Sequence, residues 1–210
     1  MKTLKIIFLP LCALLLNSCA SSYQSINPAG LNYVSKNTNS GVTFEYKYSL
    51  LDKKYAKKEY KNNVKLIAIK ITNNTERDLV FGRDITLTYE NDAMLYVMEK
   101  ETVYRTLKQS PASYLWYLLL SPTQFTKTQT NSYGYTQTTS SFPIGLILGP
   151  GLAGGNMIAA SSANKKFNTD LNDYNINGKN IKKGETVYGL IGVNSTNFDS
   201  IKIKVSNSIN

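Results

Sequence analysis

Hydrophobic and polar residues alternate in several short stretches of the chain, and this pattern predicts β-strands. In residues 42–50 every second side chain is apolar, which is typical of a strand with one buried face. Residues 64–72 carry apolar side chains on both faces, which favours a central strand. Shorter alternating stretches predict further strands at 79–82, 84–90, 94–98, 186–193 and 200–205. Because Asn, Asp and Gly separate these stretches, the prediction is a mainly β fold, an antiparallel sandwich of about seven strands.

A long interruption at residues 106–178 has a different pattern. Ser110 and Pro111 are typical of a helix start, and they precede an aromatic and leucine-rich stretch at 112–120. The polar tract at 123–141 predicts a mobile loop, and a second helix is predicted from about 151 to 172. The sandwich is therefore predicted to carry an inserted pair of helices. The predicted parts are residues 41–105 for the first strands, 106–178 for the helical, Gly/Thr-rich insertion and 179–210 for the C-terminal strands.

Small residues recur at every fourth position of the second predicted helix, at Gly151, Gly155, Ala159 and Ala163. Such a row lets another helix approach closely, backbone to backbone. No charged residue occurs between Thr128 and Asn164. Three interpretations stay open: the row packs inside its own domain, inserts into a membrane, or forms an interface between copies of the chain.

The N-terminus has the pattern of an export signal. Two lysines precede an apolar run at 6–16, which is too short to span a bilayer. Residues 16–19, Leu-Asn-Ser-Cys, resemble the lipobox of bacterial lipoproteins. That resemblance implies cleavage of residues 1–18 and lipid attachment at Cys19, where two or three acyl chains give stable anchoring. The alternative is an ordinary secretory signal with a coincidental cysteine.

The residues after Cys19 extend this prediction. Residues 19–40, rich in Ser and Asn, are expected to form the lipidated cysteine and a flexible tether. Ala20 resembles the residue that sorts such lipoproteins to the outer membrane of Gram-negative cells. The expected location is therefore the cell envelope, lipid-anchored in the outer membrane and facing the periplasm, with exposure on the cell surface as the alternative.

The amino-acid composition excludes several catalytic mechanisms and metal sites. The chain contains no His, which excludes Ser-His-Asp and Cys-His mechanisms and imidazole metal ligands. The only cysteine besides Cys19 is Cys12, inside the predicted signal, so no disulfide is expected after cleavage. The segment 173–178 matches the first half of a calcium loop, but Gly184 stands where the loop needs a glutamate. No enzyme activity, cofactor or metal is predicted; the remaining acid–base candidates are Asp84, Glu90, Asp92, Glu99 and Glu101.

The chain is basic, with 24 Lys and Arg against 14 Asp and Glu. Lysines concentrate in one segment, interleaved with tyrosines, at Lys53, Lys54, Lys57, Lys58, Lys61 and Lys65. Such a segment is suited to phosphate groups, lipid head groups or an anionic polysaccharide. The alternative is a solvated hairpin loop whose lysines guard a sheet edge. Nucleic acid is not expected as a partner, because the predicted location of the protein is outside the cytoplasm.

Taken together, the lipobox and the segments "VKLIAIKITNNTERDLVFGRDITL", "YLWYLLL" and "KGETVYGLIGV" resemble uncharacterised envelope lipoproteins of Gram-negative bacteria. The resemblance implies an immunoglobulin-like sandwich interrupted by a helical segment rich in small residues, and it implies no activity. The expected function is a non-catalytic binding or scaffolding module with an envelope protein or anionic polysaccharide as partner. Two alternatives remain: a membrane-associated or self-assembling protein acting through residues 145–163, and a carboxylate-dependent hydrolase of envelope polymers.

Overall fold

A computed structural model describes residues 19–206 of the chain and divides them into two units. The described part of unit 1 is residues 19–22 and 109–163, and that of unit 2 is residues 23–108 and 164–206. The predicted export signal at 1–18 lies outside the described residues. Strands account for 33% of the structure and helices for 32%, so the fold is mainly β, and its sheets are antiparallel.

The elements of the described chain include three α-helices, α1 (Lys53–Asn62), α2 (Lys100–Leu107) and α3 (Gly145–Asp173). Short 3-10 helices form at Pro28–Gly30 and Pro111–Leu120. The strands are β1 (Ser35–Asn39), β2 (Val42–Lys47), β3 (Val64–Asn73), β4 (Leu79–Val80), β5 (Ile85–Tyr89), β6 (Met94–Leu95), β7 (Val97–Met98), β8 (Phe125–Thr130), β9 (Thr136–Phe142), β10 (Asn180–Ile181), β11 (Thr186–Asn194) and β12 (Ile201–Val205).

Unit 2 contains two main antiparallel sheets that share one core. The larger sheet has the order β1-β2-β3-β11-β7 and the smaller sheet has the order β12-β5-β6, while β10 and β4 form a short pair. Apolar side chains from both main sheets form a single buried cluster, which includes Phe44, Ile69, Ile191, Leu87 and Ile203. The strands predicted from alternation are confirmed at these positions, and β3, apolar on both faces, lies in the middle of its sheet. The described part of unit 2 has ten strands instead of the predicted seven, because β1 and β10 were not predicted and the strand predicted at 94–98 is two strands, β6 and β7.

Side chains link the two main sheets at one edge. The Asn37 carboxamide on β1 donates to the carbonyl of Ile201 at 2.7 Å and accepts the amide of Ile203 at 2.9 Å. In this way one side chain occupies the backbone groups that β12 would otherwise leave unpaired. The Tyr46 hydroxyl accepts the Ile201 amide at 3.0 Å and adds a second link. At the other edge, β6 and β7 are consecutive strands that belong to different sheets.

Two helices that the sequence patterns did not predict belong to unit 2. Val103 of α2 packs against Gly192 of β11, where a Cβ would lie only 2.2 Å from a Val103 methyl. The lysine-rich segment forms α1, so the interpretation as a hairpin loop is wrong. Lys, Ala and Glu favour a helix, and Asn63 ends it in the left-handed region at φ 53°.

The prediction of a flexible tether at 19–40 is also wrong from Tyr23 onward, because this segment packs into unit 2. The Tyr23 hydroxyl donates to Asp170 at 2.8 Å, and the Ile26 amide donates to the same carboxylate oxygen at 2.7 Å. Both side chains are buried. The ring of Tyr23 contacts the rings of Tyr55 and Phe167. Burial of these apolar surfaces outweighs the preference of a Ser- and Asn-rich segment for an open chain.

Unit 1 differs from the predicted pair of helices. The stretch at 111–120 is a 3-10 helix, and the tract expected to be a loop forms the β8–β9 hairpin. Helix α3 begins at Gly145, before the predicted start at 151, and it includes Pro150. Its residues up to Ala163 belong to unit 1, and those from Asn164 onward belong to unit 2.

Candidate functional site: an apolar surface in unit 1

Small residues on α3 create the interior of unit 1. A Cβ on Gly145 would lie 2.1 Å from the carbonyl oxygen of Leu120, and one on Gly149 would lie 2.6 Å from the Ser121 hydroxyl. The same face continues with Ala153 and Ala160, which are buried against Tyr114 and Tyr117. Helix α3 therefore approaches the 3-10 helix backbone to backbone, as small residues allow.

The predicted row of Gly151, Gly155, Ala159 and Ala163 is not this buried face. No atom lies within 4 Å of where a Cβ on Gly151 or Gly155 would stand, and Ala159 is exposed. Ala163 alone is buried. The buried positions of α3 recur every three or four residues, at 145, 149, 153, 156 and 160, and therefore lie on one face of the helix. Gly151, Gly155 and Ala159 lie on a different face, which points outward. The interpretation that this row packs inside its own domain is therefore wrong for three of its four residues. That the row inserts into a membrane or forms an interface between copies of the chain stays a prediction.

Cys19 lies in unit 1 and is exposed. The two residues after it are held by hydrogen bonds to buried side chains of the same unit. The Ala20 amide donates to Asn156 at 2.5 Å, and the Ser21 amide donates to Gln109 at 3.0 Å. Gln109 returns a bond to the Ser21 carbonyl at 2.7 Å. The chain that leaves Cys19 is thus fixed to unit 1, and lipidation of Cys19 stays a prediction.

Large hydrophobic side chains are exposed over much of unit 1. Of the 17 large hydrophobic residues exposed in the described chain, 12 belong to this unit. Trp116 is 74% exposed and Leu119 is 68% exposed. The set consists of Leu115, Trp116, Leu118, Leu119, Phe125, Tyr133, Tyr135, Phe142, Leu146, Ile147, Leu148 and Ile158, and we call it the apolar surface.

Three elements bring most of the apolar surface together. The Gly145 amide donates to the Thr123 carbonyl at 3.0 Å, which places the start of α3 beside the end of the 3-10 helix. Phe125 and Phe142 face each other across the base of the β8–β9 hairpin. Pro143 and Ile144 alone separate Phe142 from α3. The hydrophobic residues that follow Gly145 in α3 therefore begin next to the leucines of the 3-10 helix.

Charge is nearly absent from unit 1. Lys127 is the single charged residue among its described residues, whereas all 14 Asp and Glu lie in unit 2. Monomeric soluble proteins rarely expose large contiguous apolar patches, and such patches commonly mark contacts with a partner or a membrane. Within the described residues, no helix combines the length and apolarity needed to cross a bilayer.

The basic segment lies on α1 in unit 2. Lys53, Lys57 and Lys61 share one exposed stripe of the helix, and Lys54 and Lys58 are partly buried beside it. Burial lowers the pKa of Lys58, and repulsion from Lys61 and Lys108 lowers it further. An anion placed here would relieve that repulsion, so binding of an anionic partner stays a prediction.

Lys65 does not belong to that stripe, which corrects the predicted patch. It lies on β3, is buried, and holds its ammonium 4.5 Å from the centre of the Phe198 ring. On α1 itself, Glu59 is buried and accepts the Leu66 amide at 2.7 Å. Burial raises the pKa of Glu59 to about 7, against the opposing effects of that hydrogen bond and of Lys65.

The acid–base candidates have separate surroundings. Asp84 pairs with Arg83 and accepts the Val80 amide at 2.8 Å, and these contacts hold its pKa below the ordinary value. Glu90 pairs with Lys202 at 3.8 Å and lines a polar pocket of about 460 Å³ with Asp199. Glu99 precedes α2, Glu101 lies in its first turn, and Asp92 is in a turn at φ 61°. The described residues contain no cluster suited to a metal ion. These contacts bring no two of the five candidates together, and Asp199, which shares a pocket with Glu90, was not one of them. The hydrolase hypothesis stays a prediction.

No protein-family model, curated protein or solved structure matches the chain. The function therefore has to be inferred from the surfaces of the molecule itself.

Proposed function

We propose that the protein is a lipid-anchored, non-catalytic protein of the cell envelope whose unit 1 lies against the membrane surface. The observation that carries this proposal is the apolar surface, 12 exposed large hydrophobic residues in a unit with one charged residue among those described. The partner is the lipid bilayer itself. Localisation at the outer membrane, facing the periplasm, is part of the same proposal, and unit 2 supplies the binding or scaffolding surface.

The energetics favour contact with lipid. Fully burying one Leu or Phe side chain contributes about 1.5–3 kcal/mol, so even a partial burial of several residues amounts to several kcal/mol. Trp116, Tyr133 and Tyr135 add amphipathic rings, which are enriched at the boundary between water and lipid. Helix segments that lie in this boundary need no membrane-spanning length.

The position of Cys19 favours lipid over a protein as the partner of this surface. Acyl chains on Cys19 would leave from unit 1, because Ala20 and Ser21 are hydrogen-bonded to it. An anchor that leaves from the unit carrying the apolar surface holds this surface close to the bilayer. The acylated residue, Cys19, itself belongs to this unit.

Two finer statements belong to the same proposal. We take unit 2 to be an immunoglobulin-like sandwich, supported by two antiparallel sheets around one core. We also take the lysine stripe of α1, with Lys53, Lys57 and Lys61, to bind anionic head groups or polysaccharides of the envelope, supported by the exposure of all three side chains on one side of the helix. Repulsion from Lys61 and Lys108 on the neighbouring Lys58 adds to this support.

Trp116 gives a direct test because it is the only tryptophan of the protein. The full chain is reconstituted into vesicles of phosphatidylcholine, with and without bromine on the acyl chains. We expect the Trp116 emission to shift to shorter wavelength and to be quenched by the brominated lipid, since the ring would lie in the acyl boundary. The matched control carries Trp116→Phe and Tyr96→Trp; Tyr96 is 80% exposed in unit 2, and its replacement should not be quenched.

A second measurement separates the apolar surface from the anchor. The chain from residue 19 onward with Cys19→Ser is floated with neutral vesicles, and Leu119→Asp with Ile147→Asp should reduce the floating fraction at least tenfold. Tyr60→Asp, at a site that is 82% exposed in unit 2, should leave it unchanged. Vesicles with anionic lipid measure the added effect of the α1 lysines, which Lys57→Gln with Lys61→Gln should remove. Trp116 that stays in water in the anchored protein would overturn the proposal.

A further inference from the structure

One buried hydroxyl group of unit 1 has no hydrogen-bond partner. The Tyr117 side chain is 6% exposed, and among the described residues its hydroxyl is the one buried side-chain N or O atom that is left unpaired. Buried polar atoms are almost always paired, so this exception calls for a partner from outside the described residues. Because a phenol hydroxyl carries one proton to donate, an oxygen acceptor such as a carbonyl would satisfy it.

The Tyr117 side chain points the same way as that of Tyr114. The two residues are three positions apart in the 3-10 helix, where side chains at this spacing eclipse each other. Their rings are nearly parallel, at 4°, with centres 6.4 Å apart. Both belong to one buried cluster with Ala153 and Ala160 of α3. The surroundings of the Tyr114 hydroxyl therefore indicate what the Tyr117 hydroxyl faces.

The Tyr114 hydroxyl faces the chain segment that begins at Cys19. It donates to the Gln109 carboxamide oxygen at 3.3 Å, and the same oxygen accepts the Ser21 amide. Burial raises the pKa of Tyr114, and the charge of a Cys19 thiolate raises it further, which places the Cys19 sulfur near this hydroxyl. Tyr117, one 3-10 turn along, thus directs its hydroxyl to the same side of unit 1.

Helix α3 also holds this segment beside the two tyrosines. Asn156 lies on the buried face of α3, between the alanines of the cluster, and accepts the Ala20 amide at 2.5 Å. The Ala20 side chain packs against the same cluster. Gln109 and Asn156 are themselves buried, so unit 1 uses two interior carboxamides to fix the residues directly after Cys19. A flexible tether would need neither of them.

We infer that unit 1 binds the acyl group of its own lipidated Cys19, with the Tyr117 hydroxyl donating to an acyl carbonyl oxygen. The inference rests on the lipid anchor of the proposed function. Each acyl chain of such an anchor is joined through an ester or amide carbonyl, whose oxygen accepts hydrogen bonds. Against a membrane, where water is scarce, this carbonyl is the acceptor that the lipid supplies. The contact fixes the start of the lipid on the unit that carries the apolar surface.

The test compares the effect of Tyr117→Phe with and without the lipid. The lipidated full chain, with acylation of Cys19 verified by mass spectrometry, and the chain from residue 19 onward with Cys19→Ser are heated in the same detergent. Trp116 fluorescence follows the unfolding of unit 1. In the lipidated chain Tyr117→Phe should lower the midpoint by about 2–4 °C, since a carbonyl loses its donor. In the unlipidated chain it should not lower the midpoint, since no described residue accepts from this hydroxyl.

Tyr114→Phe is the matched control, because Gln109 accepts from the Tyr114 hydroxyl in either form. It should lower the midpoint equally with and without the lipid. A further series adds phosphatidylcholine vesicles to the unlipidated chain, where Tyr117→Phe should again not lower the midpoint. A lower midpoint in this series would assign the carbonyl to a lipid of the bilayer and overturn the inference.

An infrared measurement observes the carbonyl itself. Cells are grown with fatty acids that carry carbon-13 at the carbonyl, and the difference from unlabelled protein isolates the bands of the lipid on Cys19. A hydrogen-bonded carbonyl absorbs at lower wavenumber. Tyr117→Phe should therefore move part of the labelled band to higher wavenumber, while Tyr114→Phe should leave it in place. An unchanged band, or an equal thermal shift with and without the lipid, would overturn the inference.

The results separate this inference from the proposed function. If Trp116 stays in water while Tyr117→Phe acts only in the lipidated chain, membrane contact by unit 1 is overturned and the contact with the lipid is supported. If Cys19 is acylated and Tyr117→Phe acts equally in both forms, the inference alone is overturned. A mature chain without acyl groups on Cys19 would overturn both.

Discussion

Units 1 and 2 are made from one chain but distribute hydrophobic and charged side chains in opposite ways. Unit 2 encloses its large hydrophobic residues between two sheets and carries all 14 acidic residues of the protein. Unit 1 buries mostly Ala, Gly and two tyrosines inside, while 12 of its large hydrophobic side chains, among them Trp116 and Leu119, are exposed. Unit 2 therefore has the charged surface typical of a domain in water, whereas unit 1 exposes the hydrophobic side chains that we propose contact the membrane.

The contrast shows how small residues in a helix contact influence the exposure of the large side chains beside them. Because Gly145 and Gly149 bring the α3 backbone against the 3-10 helix, little volume remains between these elements for large side chains. Most leucines of the same segments, and Trp116, then point outward. A glycine-lined contact thus does two things at once: it stabilises close helix packing and leaves the large hydrophobic side chains for an external surface.

The largest expected difference in stability is between the same substitution at two leucines, one buried in unit 2 and one exposed in unit 1. Leu66 on β3 is fully buried in unit 2, and Leu119 is 68% exposed in unit 1. Leu66→Ala should lower the free energy of unfolding by about 2–5 kcal/mol, since it removes core contacts and leaves a cavity. Leu119→Ala should change it by less than about 0.5 kcal/mol, as expected for a surface position. Denaturant unfolding followed by circular dichroism measures both, and an equal cost for both would mean that Leu119 is packed after all.

The next largest effect is a dependence of the free energy of unfolding on pH, which Glu59 of unit 2 causes. Glu59 has a pKa of about 7 in the folded chain, compared with an ordinary value of 4.5. Between these values the folded chain holds a proton that the unfolded chain has released, so the free energy of unfolding falls as pH rises from 4.5 to 7. The loss is on the order of 3 kcal/mol by the energy per pKa unit.

Glu59→Gln should remove this loss, because the amide keeps an acceptor for the Leu66 amide without ionising. The variant should equal the wild type near pH 4.5 and exceed its stability at pH 8, measured by urea unfolding across this range. Glu76→Gln is the control, since the Glu76 side chain is 87% exposed. A wild-type stability that rises from pH 5 to 8 with the slope unchanged in Glu59→Gln would contradict the assignment.

A smaller effect distinguishes the two faces of α3. Gly149→Ala should destabilise unit 1 by about 1–3 kcal/mol, because its Cβ would press on the Ser121 hydroxyl and approach the Tyr117 carbonyl oxygen to 3.1 Å. Gly151→Ala, two residues on, should stabilise it by up to about 1 kcal/mol, since the position is open and Ala favours a helix.

Trp116 fluorescence during denaturant unfolding reports on both glycine variants, since this ring belongs to unit 1. Opposite signs for Gly149→Ala and Gly151→Ala would confirm that the buried face of α3 is the one through Gly145 and Gly149. The same sign for both variants would mean that the row through Gly151 and Gly155 is also packed within the unit.

Several parts of unit 2 follow from local patterns. Alternation at 42–50 and 64–72 predicted β2 and β3, because side chains of a strand point to opposite faces in turn. Helix α1 was missed because its buried face includes Glu59, so the hydrophobic repeat of a helix is weak there. The signals that could have found it are the run of Lys, Ala and Glu without β-branched residues and the Asn at its end.

The candidate site was only partly foreseeable. The lack of charge from Thr128 to Asn164 is visible in the sequence, and it is incompatible with a helix that has a solvated polar face. The outward position of Trp116 and Leu119 was not foreseeable, because an aromatic, leucine-rich stretch is ordinarily a buried one. Lys65 was grouped with the α1 lysines by nearness in sequence, yet the strand directs it to the Phe198 ring.

The sequence by itself determined the strands of unit 2 except β1 and β10, the position of the charge-poor segment and the presence of a lipobox-like cysteine. Strand periodicity and composition are local properties, and no distant contact is needed to express them. Only the tertiary structure decided which small residues of α3 are buried, that α1 is a helix over the sheet, and that the hydrophobic residues of unit 1 lie on its surface. Burial depends on which elements pack against each other, and those contacts join residues far apart in the chain.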